Sequence, residues 1–409
     1  MKNLLKVSLS FFAVMLILSS CGRRESGELT GVLDRPDWKG MNPYGMVYVR
    51  PGVVHVGNSD QDITGTFIQR PKQISISGFY MDETEISNNE YRQFYKWVKD
   101  SIALDMVGAY YTGDDGEERL DWEVEIDWTD PVLEDMYLEG DLAGRKMTNT
   151  ELFEYNYKTV DWKEAAKSRI GENSILDYVE EHTINIYPDT MVWVRDFAYS
   201  YNEPMTRNYF WHPAFDDYPV VGVSWDMANA FSYWRTSLWN QYNDILTEEF
   251  RLPTEYEFEY AARGGRENAP YPWGGPYTRN AKGCLLANFK PGRGNYPEDG
   301  GQYTVPVDAY YPNDYGLYNM SGNVAEWTVS AFYENANSFV HDMNSDIRYD
   351  AKEDDPIAMK RKVVRGGSWK DISFYLQTGT RSYEYQDTTK SYVGFRNVVS
   401  FMGRSINDF

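Results

Sequence analysis

Cysteine is nearly missing from this 409-residue chain, which contains Cys21 and Cys284 and no other. A disulfide framework is thereby excluded, and the fold has to rest on core burial. Histidine is as scarce: His55, His182, His212 and His341 are scattered, without metal-ligand spacing. Base is in short supply too, with 40 Lys and Arg against 62 Asp and Glu, for a net charge of -22. Such a chain does not suit a nucleic acid, whose phosphates need clustered Lys and Arg, nor electrostatic docking on anionic lipid. Beyond residue 18 no apolar run reaches eighteen residues, so no later segment reads as a membrane-spanning helix. What the chain has in quantity is aromatic surface: 34 Tyr, 19 Phe and 13 Trp supply the buried area.

The N-terminus pairs Lys2 and Lys6 with an apolar stretch from Val7 to Leu18, closed by Leu18-Ser19-Ser20-Cys21. This reads as a secretory signal, too short and wrongly flanked for a membrane span. A small-residue site ending at a Cys is similar to a bacterial lipoprotein signal, in which the Cys is acylated and becomes the mature N-terminus. Acyl chains at about 0.8 kcal/mol per buried CH2 would anchor the chain firmly. Residues 1–20 are therefore expected to be a lipoprotein signal peptide, 21–45 a flexible tether after lipidated Cys21, and 46–409 a folded domain. Gly22, with no acidic run directly after it, favours an outer-membrane anchor facing the periplasm.

Within the domain, Met46–Val49 and Val53–Val56 flank Arg50-Pro51-Gly52, the pattern of a hairpin with a Pro-Gly turn. Ser87 to Glu90 is a capping box opening a helix through Tyr91, Phe94, Tyr95 and Val98. A second helix is expected from Ser224 through Met227, Ala230, Phe231, Trp234 and Leu238. A third starts at the capping box Thr254 to Glu257 and stops at Gly264-Gly265, which follows a helix and so is not a phosphate-cradling loop. The C-terminal part is rich in Gly, Pro and Asn, with short strands. Cys284 has no neighbouring His and reads as a small buried hydrophobe.

Residues at about 100–211 differ from their surroundings. Between Asp114 and Asp141 there are thirteen acidic residues and one base, Arg119. Trp122, Val124, Ile126 and Trp128 nevertheless alternate with Glu123, Glu125 and Asp127, the period-two pattern of a half-buried strand. Two readings stay open: a strand covering the domain's own core, or an arm that docks on a partner through Trp122 and Trp128.

Six segments then occur in one order: Phe79 to Asn88, Pro219 to Trp225, Arg251 to Gly265, Gly316 to Trp327, Val364 to Trp369 and Gly394-Phe395-Arg396. In that order they resemble the formylglycine-generating enzyme (sulfatase-modifying factor) family. The resemblance implies an α+β fold, a loop-rich C-type-lectin-like variant with short strands and a few helices. Fold alone does not imply the oxidase activity. In the enzymes a run like Arg365-Gly366-Gly367-Ser368-Trp369 leads into two cysteines five residues apart, which hold copper(I). Here those positions carry Asp371 and Leu376, so the chain is expected not to be an enzyme and to take no copper.

The resemblance also implies calcium as the candidate cofactor. Asn288 and Asp299 would supply side-chain oxygens, with carbonyls from Phe289 and Gly301; a second site would use Glu326 with the carbonyls of Gly322 and Val324. The alternative is that Asn288, Asp299 and Glu326 cap turns and pair with arginines. Val194 to Phe210, Tyr271 to Tyr277 and Gly367 to Tyr385 are similar to a gliding-motility lipoprotein family of the type IX secretion system of Bacteroidota. That likeness implies a periplasmic structural subunit, self-associating in a ring with the GldN/PorN protein as partner. A lectin-like module binding glycan or lipopolysaccharide is the alternative function, and an active oxidase a third.

Overall fold

The computed structural model describes residues 42–57, 70–113, 116–142, 145–167, 174–196, 201–243 and 248–403. Cys21, the signal segment and most of the tether lie outside the described residues. Asn42–Met402 forms one compact unit of mixed α+β structure, in which long irregular segments connect short strands and a few helices.

The first strands pair differently from the expected hairpin. Strand β1 (Met46–Val49) lies antiparallel to β4 (Phe79–Asp82), whereas β2 (Gly52–Val56) pairs with β3 (Lys72–Ile76). The reason lies at the turn: the Arg50 carbonyl accepts the Tyr260 hydroxyl at 2.9 Å. Gly52 packs so closely on that ring that a Cβ there would stand 2.4 Å from the hydroxyl oxygen. Pro51-Gly52 is thus a corner between two sheets, held by the ring of Tyr260.

Helix starts follow their capping chemistry. In α1 (Asn88–Val107) the Ser87 hydroxyl accepts from the Glu90 N–H at 3.3 Å, and the Ser87 N–H donates to the Glu90 carboxylate at 2.7 Å. This helix passes residue 100, the expected start of the insertion, and ends at Gly108 with φ 74°. The short helices α2 (Trp162–Lys167), α3 (Val192–Arg195) and α4 (Glu203–Asn208) follow. Next come α5 (Trp225–Tyr242), capped by Ser224, and α6 (Glu255–Arg263), opened by Thr254 and Glu257 and closed by Gly264 at φ 59°.

Among the described residues of the segment expected to be an insertion, the strands pair as three two-stranded antiparallel ribbons. They are β5 (Tyr110–Thr112) with β6 (Glu118–Leu120), β7 (Tyr137–Leu142) with β8 (Arg145–Thr148), and β9 (Glu154–Val160) with β10 (Val179–Asn185). Leu133, Met136, Phe153 and Ile186 join the same core as Tyr91 and Phe94 of α1 and Phe231 and Trp234 of α5. Each such side chain is worth about 1.5–3 kcal/mol when fully buried, so the insertion is integral to the domain.

The expected strand over Trp122 to Trp128 is not formed; this stretch is a series of turns. Asp121 and Asp127 cause the break, each accepting the backbone N–H two residues on, Glu123 and Thr129, at 3.0 Å. Such Asx turns compete with an extended chain.

The remaining strands are β11 (Ala325–Ala331), β12 (Arg361–Arg365), β13 (Ser382–Tyr385), β14 (Val393–Gly394) and β15 (Val398–Ser400). They form a four-stranded sheet in the order β13-β12-β11-β14, while β15 completes a three-stranded sheet with β1 and β4. A second core cluster, with Val54, Ile74, Phe79, Met81, Phe258 and Met320, joins β2, β3 and β4 to α6.

Candidate functional site

Strand β12 runs into the segment that the sequence singles out. Gly366 and Gly367 turn the chain with φ 87° and 70°. At Gly367 a Cβ would lie 2.7 Å from the Tyr375 carbonyl, so only glycine lets the two arms of the loop approach. Asp371 then braces the turn: its Oδ2 accepts from the Ser368 N–H at 3.0 Å and the Ser368 hydroxyl at 2.6 Å. The Asp371 carbonyl receives the Lys290 N–H at 2.9 Å. Leu376 is fully buried in a small cluster with Tyr271, Leu285, Ala287 and Phe289, and its carbonyl accepts the Ser321 hydroxyl at 2.6 Å. One position holds a turn together and the other fills a core.

The charged members of the motifs face inward and bind each other. Glu259 accepts from Arg263 at 2.6 Å and from Arg365, while Glu255 accepts from Arg381 through Nη2 at 2.7 Å as well as through Nε. All five side chains are at most 5% exposed. Arg365 also donates to the carbonyls of Thr378 and Thr380, at 3.0 and 2.8 Å. This network ties α6 to β12 and to the loop after Leu376. Removing a partner from such a group leaves an uncompensated buried charge, which is strongly destabilising.

A second buried group joins the first and last motif segments. Arg396 meets Glu326 in a two-point fork, with Nε–Oε2 and Nη2–Oε1 both at 2.7 Å. Beside it Glu85, wholly buried, accepts from the side-chain amides of Asn319 and Asn323 at 3.0 and 3.1 Å. Burial first, then the negative charge of Glu326, pushes the Glu85 carboxyl up to about 8, against the opposing pull of Arg396 and the two amides. The Glu326 carboxyl is also raised by burial, against the pull of Arg396.

These contacts bear on the expected cation ligands. Both Glu326 oxygens accept from Arg396, so a cation there would share the carboxylate with a buried guanidinium. Gly322 (φ 87°) is packed on the Asn288 carbonyl, 2.6 Å from where a Cβ would stand, and Val324 is buried. In this structure Glu326 pairs with an arginine, the alternative that the sequence left open for it.

Of the other set, Gly301 and Asn288 lie side by side. A Cβ on Gly301 would come within 2.5 Å of the Asn288 Oδ1, while the Asn288 amide donates to the Tyr303 carbonyl at 2.7 Å. Asp299, at φ 58°, accepts the Leu285 N–H close by, and Phe289 is buried next to Asn288. Hard oxygens from Asn288 and Asp299, with the carbonyls of Phe289 and Gly301, are of the type that calcium takes. Among the described residues no group of three or more His, Cys, Asp or Glu side chains is placed to hold a metal ion.

Trp122 and Trp128 lie on the second half of α1. Trp122 stacks on Trp97 at 5.1 Å between ring centroids, and the Lys99 ammonium sits 4.2 Å from the ring of Trp128. Each keeps a large exposed face, 44% and 39%, with Val124 exposed beside them and Ile126 turned into the core. Cys284 is exposed, contrary to the buried reading, because Asn280 and Gly283 (φ 89°) form a tight surface turn that carries it outward. The ring pair Tyr271–Trp273, stacked at 4.8 Å and 7°, is a feature that no period in the sequence announces.

Comparison with known proteins places these contacts in a family. A family model described as the sulfatase-modifying factor enzyme 1-like domain matches residues 35–401. The chain belongs to that family. It is 27% identical over 365 residues to the formylglycine-generating enzyme of Mus musculus, covering 86% of this chain and 74% of that protein. It is 34% identical over 186 residues to the inactive C-alpha-formylglycine-generating enzyme 2 of Bos taurus, covering 44% of this chain and 50% of that one. Among solved structures, PvdO from Pseudomonas aeruginosa superposes with a TM-score of 0.50 at 15% identity, over 90% of this chain and 100% of that one, a likeness of fold alone.

Proposed function

We propose that this chain is a non-catalytic member of its family. In this reading it is a lipid-anchored outer-membrane lipoprotein facing the periplasm, and a structural subunit of a ring. The assembly is of the kind that GldK/PorK builds with GldN/PorN in type IX secretion and gliding motility. The observation that carries the first half of this reading is the pair Asp371 and Leu376. A carboxylate already bonded to Ser368 and an isobutyl group buried among Tyr271, Leu285 and Phe289 supply neither the thiolate sulfur that copper(I) needs nor a redox thiol. A family relative described as inactive is consistent with such a member.

The second half rests on the lipoprotein-like start, the likeness of Val194 to Phe210 and Gly367 to Tyr385 to the gliding-motility lipoproteins, and the acidic, aromatic insertion. Trp122 and Trp128 are the anchors proposed for partner contact. Aromatic residues with exposed faces are the type that dominates binding energy when buried at the centre of an interface. The surrounding carboxylates favour a basic partner surface. Calcium at Asn288, Phe289, Asp299 and Gly301 would be a structural ion holding two loops. The test of inactivity is direct: purified protein supplied with copper(I) should convert no cysteine of a sulfatase-derived peptide to formylglycine. Product above a no-protein control would overturn the reading.

A further inference from the structure

Beside the Asp371–Leu376 loop lies a cavity of about 380 Å³, a size within the usual range of small-ligand sites. It lies open to the surface between two segments that the fold clamps together. Tyr271 donates its hydroxyl to the Ser373 carbonyl at 3.0 Å, and Thr378 donates its N–H to the Pro270 carbonyl at 2.9 Å. Its walls include the rings of Tyr271, Tyr277 and Phe374 and the polar side chains of Thr278, Ser373 and Gln377. Among the described residues no charged side chain lines it, on a chain whose net charge is -22.

Two further observations point to a ligand. Tyr277 leaves 77% of its surface exposed, yet its backbone is fixed, because the Trp273 indole N–H donates to the Tyr277 carbonyl at 2.7 Å. Trp273 is in turn stacked on the buried Tyr271. An open aromatic face on a braced turn meets a ligand without reordering the backbone that carries it. In addition, among the described residues the hydroxyls of Thr278 and Ser373 have no protein hydrogen-bond partner, although both residues are half-buried.

We infer that this cavity binds an uncharged saccharide unit. Such a ligand offers C–H faces to Tyr277 and Phe374 and hydroxyls to Thr278 and Ser373. The absence of lining charge favours a neutral sugar over an acidic one. An extended proline-rich peptide also suits aromatic walls, but it asks for a groove and leaves the two hydroxyls unused. The inference does not depend on the ring-subunit reading.

The test is ligand-observed saturation-transfer NMR on the full-length, detergent-solubilised protein, with maltose and N,N′-diacetylchitobiose as probes. Transfer to at least one sugar is expected. Tyr277→Ala should weaken it by between about twofold and tenfold, the range for loss of a specific aromatic contact. Thr278→Val should lower it further. Tyr277 is exposed, so an unchanged thermal midpoint in Tyr277→Ala would assign the loss to the site. Competition by lipopolysaccharide would name a membrane-bound source of the sugar, and competition by soluble glycan alone a free one. No transfer to either sugar, equal transfer in both variants, or binding of a proline-rich peptide in place of sugar would overturn the inference.

Discussion

At the scale of single residues, the family motifs are read most simply as a set of buried charges that hold irregular backbone in place. Long loops expose few apolar side chains to one another. Arg365, Arg381 and Arg396 bridge them by donating to backbone carbonyls on one side and carboxylates on the other. Glu85 gives this arrangement a pH dependence. Its folded carboxyl lies at about 8, above its ordinary 4.5, so the folded state holds more protons than the unfolded chain between those values. Stability from this group is complete below the ordinary value and is lost as pH rises through about 8. The slope is at most about 1.4 kcal/mol per pH unit. Urea unfolding at pH 5, 6.5 and 8 should show stability falling across the series, with Glu85→Gln flattening the trend. A rise in stability from pH 5 to 8 that Glu85→Gln leaves unchanged would refute this role.

At the scale of elements, the insertion has two faces with different tasks. Its inner side chains Leu133, Met136, Phe153 and Ile186 belong to the core, whereas Trp122, Val124 and Trp128 stand at its surface. Trp122→Ala combined with Trp128→Ala should abolish co-purification of a GldN/PorN-like partner while circular dichroism stays native. Intact assembly would reject the surface as an interface, and unfolding would return both tryptophans to the core. Helices were legible from sequence because caps act locally: Ser87, Ser224 and Thr254 each mark a start, and Gly264 a stop. Strand pairing was not. The corner between β1 and β2 packs on Tyr260, two hundred residues away, and no local pattern records that. The Trp122 to Trp128 alternation misled because aspartates next to the tryptophans capture their own backbone. At the candidate site the sequence points to the loop of Asp371 and Leu376, and Gly301 packs on Asn288 as a shared loop pair would. The occupation of Glu326 by Arg396 depends on a contact seventy residues apart.

At the scale of the whole molecule, buried charges hold the family fold together, while Asp371 braces a turn and Leu376 fills a core. The anchor belongs to this scale as well. Cys21→Ala should move the protein from the membrane fraction to the soluble one; an unaltered membrane location, or a mature N-terminus other than Cys21, would remove the lipoprotein reading. The most direct test of the account is the native mass of the protein after gentle detergent extraction from its own membrane, with bound proteins identified by mass spectrometry. A non-catalytic subunit predicts an assembly holding many copies of this chain together with a second, basic-surfaced protein. A monomer without a partner, extracted under conditions that keep other membrane assemblies intact, would contradict it.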